Sequence, residues 1–269
     1  DFGISVAPLF INFPEGMVNA LEMTPDEFYS RLEAMAPEIP STSQPSGGLF
    51  AELYHKLGDL KEEILSIHIS SGLSGTSNSA QLGASQAKDV PVTVVDTLTL
   101  SGGERFQVLA AARAIKAGWS KEKLLAQLDK VRSQTETIYT MDTLVYLARG
   151  GRIGRVQALA GLLLHLKPVI HVAKHDGKYS TVGKARTISK ALATISDTLV
   201  ETYGSTPLWV TVLHGSFAEQ AENLSQLFRQ TLNVAKMETL RISPVLGVHT
   251  GPGIVGCAVV PIEVMEEIA

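Results

Sequence analysis

Apolar and polar positions set out a long run of alternating strands and helices. Ile4 to Phe13 is rich in β-forming residues and predicts a strand. Thr24-Pro25-Asp26-Glu27 marks a helix start, in which Thr24 caps, Pro25 suits the first turn and Glu27 completes a capping box. Phe28, Leu32 and Met35 then share one helical face. A second helix is predicted after Ser46, with Leu49, Phe50, Leu53 and Leu57 as its inner stripe. Ile64 to Ile69 reads as a buried strand running into a polar segment at Ser70. A small-residue helix follows over 75–87, then a strand at Val92–Val95, helices over 103–117 and after Ser120, and a strand near Thr137–Thr140. Strands alternating with helices imply parallel βαβ units.

The rhythm changes near residue 150. Pro168–Ala173 and Lys178–Val182 flank His175-Asp176-Gly177, whose Asp-Gly pair signals a hairpin. Ile188, Leu192, Ile195 and Leu199 then trace a helical stripe. Leu208–Leu213, Val234–Ile242 and Ile254–Val260 read as further strands, with a helix between the first two. A hairpin combined with crossovers implies a mixed sheet. At 269 residues, the chain has room for two domains of roughly 150 residues each. The fold class expected is therefore α/β in two domains: an N-terminal, mostly parallel three-layer sheet domain over 1–148 and a C-terminal α/β domain with a mixed sheet over 149–269.

A formal charge of −4 argues against nucleic acid as a partner, since binding it requires a basic footprint. The same balance argues against a polybasic membrane contact. The richest apolar run, Leu159 to Ala173, is broken by His165, Lys167 and Pro168, so no stable membrane anchor is expected. Cys257 is the single cysteine, which rules out an internal disulfide and suits a cytoplasmic setting. The opening Asp1-Phe2-Gly3-Ile4 carries no signal-like run and no initiator Met, so the sequence is expected to begin part-way through a longer one.

The richest candidate chemistry lies in Ser70-Ser71-Gly72-Leu73-Ser74-Gly75-Thr76-Ser77-Asn78-Ser79, at the carboxyl end of a predicted parallel strand, where open α/β sheets place ligands. Its glycines allow close backbone approach, and its hydroxyls and free N–H groups suit an anion. An N-cap with a small-residue packing face reads equally from the same residues. Thr42-Ser43-Gln44-Pro45-Ser46 is a second hydroxyl-rich loop before a helix, a position where Ser and Thr also serve simply as caps. His249-Thr250-Gly251-Pro252-Gly253 sets a titratable ring beside a rigid turn. Gly150-Gly151-Arg152-Ile153-Gly154-Arg155 reads either as a phosphate-holding turn or as an exposed basic loop.

Other chemistries find less support. No phosphate loop, dinucleotide fingerprint or metal-ligand spacing occurs, so neither a cofactor nor a metal is expected. A serine acyl hydrolase using Ser74 and His249 is the alternative, because Ser74, Asp96 and His249 follow the Ser…Asp…His order. A nucleophile elbow, however, requires glycine at 76, where this chain has threonine.

Taken together, Thr42-Ser43-Gln44-Pro45-Ser46, the I-S-S-G-L-S-G-T run from Ile69 to Thr76 and His249-Thr250-Gly251-Pro252-Gly253 resemble the DegV family of bacterial fatty-acid-binding proteins. Gly3-Ile4 with Pro8-Leu9, Val95-Asp96, Gly150-Gly151-Arg152, Lys167-Pro168 and Lys184-Ala185-Arg186 extend the likeness along almost the whole chain. The resemblance implies a long-chain fatty acid held in a tunnel between two α/β domains. Its carboxylate would be held by Thr42, Ser74 and His249, with Ser71, Gly75 and Thr250 beside them. It also implies a non-enzymatic carrier that presents the carboxylate to the catalytic subunit of a fatty acid kinase. Arg186 is the candidate for docking that kinase or neutralising phosphate, against the plain reading of a solvated residue at a helix start. The leucine-dense run Leu159–Leu166 is the candidate tunnel lining. The family's opening T-D-S strand is absent, Ser77 stands where a tyrosine is common, and Thr97 where a serine is.

Overall fold

A computed structural model describes residues 2–58, 63–157 and 166–268. Near the N-terminus, β1 (Phe10–Phe13), β2 (Gly16–Asn19) and β3 (Ser41–Ser43) form an antiparallel sheet in the order β2-β1-β3. The strand expected from Ile4 starts only at Phe10. Pro8 has no N–H for a ladder, and Ile4 and Val6, at 52% and 61% exposure, lack the covering that an apolar strand needs. Helix α1 (Pro25–Ala34) begins as predicted: Glu27 N–H donates to the Thr24 hydroxyl, and Thr24 N–H donates to the Glu27 carboxylate at 2.8 Å. Such a box stabilises a helix start by about 1 kcal/mol.

Helix α2 (Gly47–Gly58) starts where Ser46 accepts from Leu49 N–H, and it buries Phe50 and Tyr54. Strand β4 (Ile64–His68) pairs in parallel with β5 (Val92–Asp96), and α3 (Thr76–Gln86) is the crossover between them. Phe50, Tyr54 and Ala80 pack with Ile64, Val92 and Val94 on one side of this pair. On the other side, Leu65, Ile67 and Val95 meet the core beneath α4 (Ser101–Lys116) and α5 (Lys121–Gln134).

The larger sheet has the order β10-β9-β11-β6-β7-β8. Its strands are β6 (Glu136–Met141), β7 (Lys167–Val172), β8 (Tyr179–Ala185), β9 (Leu208–His214), β10 (Val234–Arg241) and β11 (Ile254–Pro261). β10 and β9 are parallel and the other neighbours antiparallel, giving the mixed sheet expected. Side chains alternate between two cores. Tyr139, Ile170, Leu213 and Ala258 face α4 and α5. Ile138, Val169, Val212 and Cys257 face α7 (Ile188–Tyr203) and α8 (Ala218–Thr231). Strand β6 precedes the boundary expected at 148/149, yet it is hydrogen bonded between β7 and β11. Chain order and sheet membership therefore diverge there.

Three further short helices lie among the described residues: α6 (Val145–Arg149), α9 (Pro244–Thr250) and α10 (Ile262–Glu266). Among the described residues, no helix is long and apolar enough to cross a membrane. Apart from Leu166, the leucine-dense run lies outside the described residues.

Candidate functional site

Two distant segments supply the first pair of side chains. Strand β3 holds Thr42 opposite Ile11 of β1, while α9 ends at His249 and Thr250. Helix α9 is fixed against the β1–α1 layer, where Val248 packs with Phe28 and Tyr29. Thr42 Oγ1 and His249 Nε2 lie 2.7 Å apart in a hydrogen bond spanning 207 positions of sequence.

His249 is 9% exposed. Burial, aided by the nearby Arg152 guanidinium, lowers its pKa to about 4, so the ring is neutral at pH 7. Its Nδ1 is buried with no hydrogen-bond partner among the described residues. Gly150 makes the space for this ring, since a β-carbon there would come within 2.3 Å of Nδ1.

The serine-rich loop closes on the same place. The Gln44 amide, two residues beyond Thr42, lies against Gly75, where a β-carbon would approach Nε2 to 2.5 Å. Arg152 donates from Nε to the Leu73 carbonyl at 3.3 Å and from its terminal nitrogen to the Gly150 carbonyl at 2.6 Å. One guanidinium thus ties the loop before Ser74 to the turn beneath His249. Ser74 is half-buried; its hydroxyl lies 2.8 Å from that of Thr76 and accepts from Thr76 N–H.

The other candidates occupy varied positions. Ser71 is exposed and its N–H donates to Asp96. The Thr250 hydroxyl donates back to Leu246 O within its own helix. Arg186 is exposed immediately after β8. Its neighbour Ala185 pairs with Lys167, whose ammonium contacts Asp142, and Asp142 N–H donates to the Gly253 carbonyl. Arg186 therefore shares one end of the sheet with the turn after His249.

The hydrolase arrangement does not assemble. Asp96 accepts the backbone N–H groups of Ser71 and Leu98, His249 bonds Thr42, and Ser74 bonds Thr76. Hydroxyls beside a neutral imidazole are instead suited to orienting a carboxylate by donating to it. Among the described residues, no group of acidic, histidine or cysteine side chains is arranged to hold a metal. The sequence links Arg152 to the Ser70–Ser79 run only as part of a phosphorylated-ligand binder and gives Gly150 no part beside His249; the Gly150-Gly151-Arg152 triplet is their signal. Helix α9 was also missed; Ser243-Pro244 at its start and Gly251 at its end, with φ of 74°, were the cues.

The model of the DegV family, described as uncharacterised proteins, matches residues 1–262. The chain belongs to the DegV family. A DegV domain-containing protein of Deinococcus radiodurans is 36% identical over 262 residues, covering 96% of this chain and 89% of the relative. A DegV family protein from Thermus thermophilus, described for its fatty acid binding, superposes with a TM-score of 0.89 at 34% identity, covering 97% of this chain and 92% of that one. DegV of Bacillus subtilis, described as a fatty acid binding protein, superposes at 0.86 with 30% identity, covering 96% and 92%. The two-domain α/β DegV fold is therefore shared.

Proposed function

We propose that this DegV family chain binds a long-chain fatty acid in a tunnel between its two halves and presents the carboxylate to a partner fatty acid kinase. The observation that carries this reading is the Thr42–His249 hydrogen bond with the Ser74 loop closed against it. Fatty acid binding by similar DegV proteins supports it.

The physical terms agree. A sixteen-carbon tail buries roughly 14 methylenes, which contributes about 11 kcal/mol at ~0.8 each. Association costs on the order of 4–15 kcal/mol, so useful affinity requires an almost wholly enclosed tail. Hydrogen bonds to the carboxylate add roughly 1.5–3 kcal/mol apiece. The tail thus supplies most of the affinity, while Thr42, Ser74 and His249 set orientation. Hydrogen bonds donated to the carboxylate favour its ionised form, which is the nucleophilic one. In the partner's reaction, a carboxylate oxygen attacks the γ-phosphorus of ATP and ADP leaves, giving an acyl phosphate. Arg186, exposed at the same end of the sheet, serves docking or charge neutralisation in this reading.

Organic extraction of freshly purified protein, followed by mass spectrometry, is expected to release a long-chain acid. Added palmitate is expected to raise the melting temperature of stripped protein. Failure of both would overturn the binding reading. Absence of hydroxamate-trapped acyl phosphate with a purified kinase and ATP would overturn the presentation step alone.

A further inference from the structure

Beside the carboxylate site lies a cavity of about 380 Å³ lined by Gly72, Leu73, Gly151, Arg152, Gly154, Arg155, Lys178 and Tyr179. Its charge is one-sided. Three cations, Arg152, Arg155 and Lys178, line it, no carboxylate is among its lining residues, and Asp176 pairs with Arg155. Arg152 bonds only neutral carbonyls, and Lys178 has no ion pair among the described residues.

The backbone contributes as well. Ile153 has φ −65° and ψ −34°, and Gly154 follows at φ +40°. Successive right- and left-handed residues turn their N–H groups to a common concave side, a geometry that binds anions. The N–H groups of Ile153, Gly154 and Arg155 have no acceptor among the described residues. A β-carbon on Gly154 would meet nothing within 4 Å among the described residues, and its positive φ is what favours glycine there.

We infer that this cavity is a second anion site that takes a phosphoryl dianion, held by Arg155, Lys178 and the Ile153–Arg155 backbone. Leu73 joins it to Ser74, and Arg152 joins it to the turn under His249. A phosphoryl group attached to a carboxylate at Thr42 and Ser74 would therefore find its counter-charge one residue away. That assignment to an acyl phosphate rests on the fatty-acid reading, whereas anion binding by the cavity does not.

The test is calorimetric titration of full-length protein with inorganic phosphate and with hexadecylphosphonate, at about 0.15 M salt to screen loose surface attraction. Palmitate retention is measured in parallel. The expected result is saturable binding, weakened roughly tenfold in Arg155→Ala and in Lys178→Ala, each of which removes one charge-assisted contact. Gly154→Ala, which keeps the charges but opposes the left-handed backbone, is expected to weaken it too. Palmitate retention should be normal in the Arg155 and Lys178 variants. Binding of hexadecylphosphonate that depends on Arg155 and Lys178 supports the lipid phosphoryl group as occupant. Such binding by inorganic phosphate alone supports a free-phosphate site and overturns the acyl phosphate assignment. No binding of either probe, or binding indifferent to all three substitutions, overturns the inference. Loss of palmitate from wild-type protein would instead sink the fatty-acid reading and leave the phosphate result standing.

Discussion

A single methyl group added at Gly150 probes the Thr42–His249 site without replacing any of its polar side chains. The Gly150 backbone, at φ −74° and ψ −5°, accepts any L residue. Alanine there would by itself stabilise the fold by roughly 0.4–1 kcal/mol through a less flexible unfolded chain. The new β-carbon, however, would sit 2.3 Å from His249 Nδ1 and 3.1 Å from the Tyr146 carbonyl. The ring must then move, and its 2.7 Å contact with Thr42 is the bond placed at risk. Overpacking costs roughly 1–3 kcal/mol and a lost hydrogen bond a further 0.5–1.5 kcal/mol or so. The net expectation is a loss of about 1–3 kcal/mol, at about 2–4 °C of melting temperature per kcal/mol in a chain of this size. Thermal melts of Gly150→Ala and wild type, with and without palmitate, measure both the loss and the remaining ligand response. Gly48→Ala is the control, because its β-carbon meets only the Ser46 hydroxyl oxygen at 3.8 Å. A Gly150→Ala protein as stable as wild type, with an unchanged palmitate shift, would refute the packing argument.

Other expectations concern the division between holding and presenting. Ser74→Ala and His249→Ala should reduce kinase-dependent phosphorylation more than lipid retention, and equal loss of both in paired assays would contradict the dominance of the tail. Arg186→Ala should retain lipid by extraction yet be used poorly by the kinase; unimpaired use would return Arg186 to a solvated-surface role. His249 and His68 both titrate at about 4 in the fold because burial disfavours their charged forms, against an ordinary 6.5. Between those values the unfolded chain binds more protons, so stability should fall as pH drops from 6.5 towards 4 and be unaffected by these rings above 6.5. Urea midpoints across that window should decline less steeply in His249→Asn, and an unchanged slope would remove His249 from the account.

Local signals are legible in this sequence, whereas long-range ones are not. The Thr24–Glu27 box needs only four consecutive residues and formed as expected. The strand beginning at Ile4 was read too long, since β propensity says nothing about whether a partner strand lies alongside. Helix α9 has seven residues and an internal glycine, too little for periodicity to register. The meeting of Thr42 with His249 is invisible to any window of sequence and became legible only when three separated motifs were read together. Gly150 and Arg152 show the limit of that approach. What places them in the site is a carbonyl acceptor and a space for a ring; the Gly150-Gly151-Arg152 triplet marks the residues but not those contacts.

The bond between Thr42 and His249 also bears on biosynthesis. During translation Thr42 emerges early, whereas His249 and strand β11, the strand between β9 and β6, follow only after more than 200 further residues. Until then a nascent chain lacks both the histidine and a continuous large sheet. In the proposed fatty-acid reading, the head-group site is assembled only on a nearly finished chain, so a chain terminated before His249 is expected to lack it.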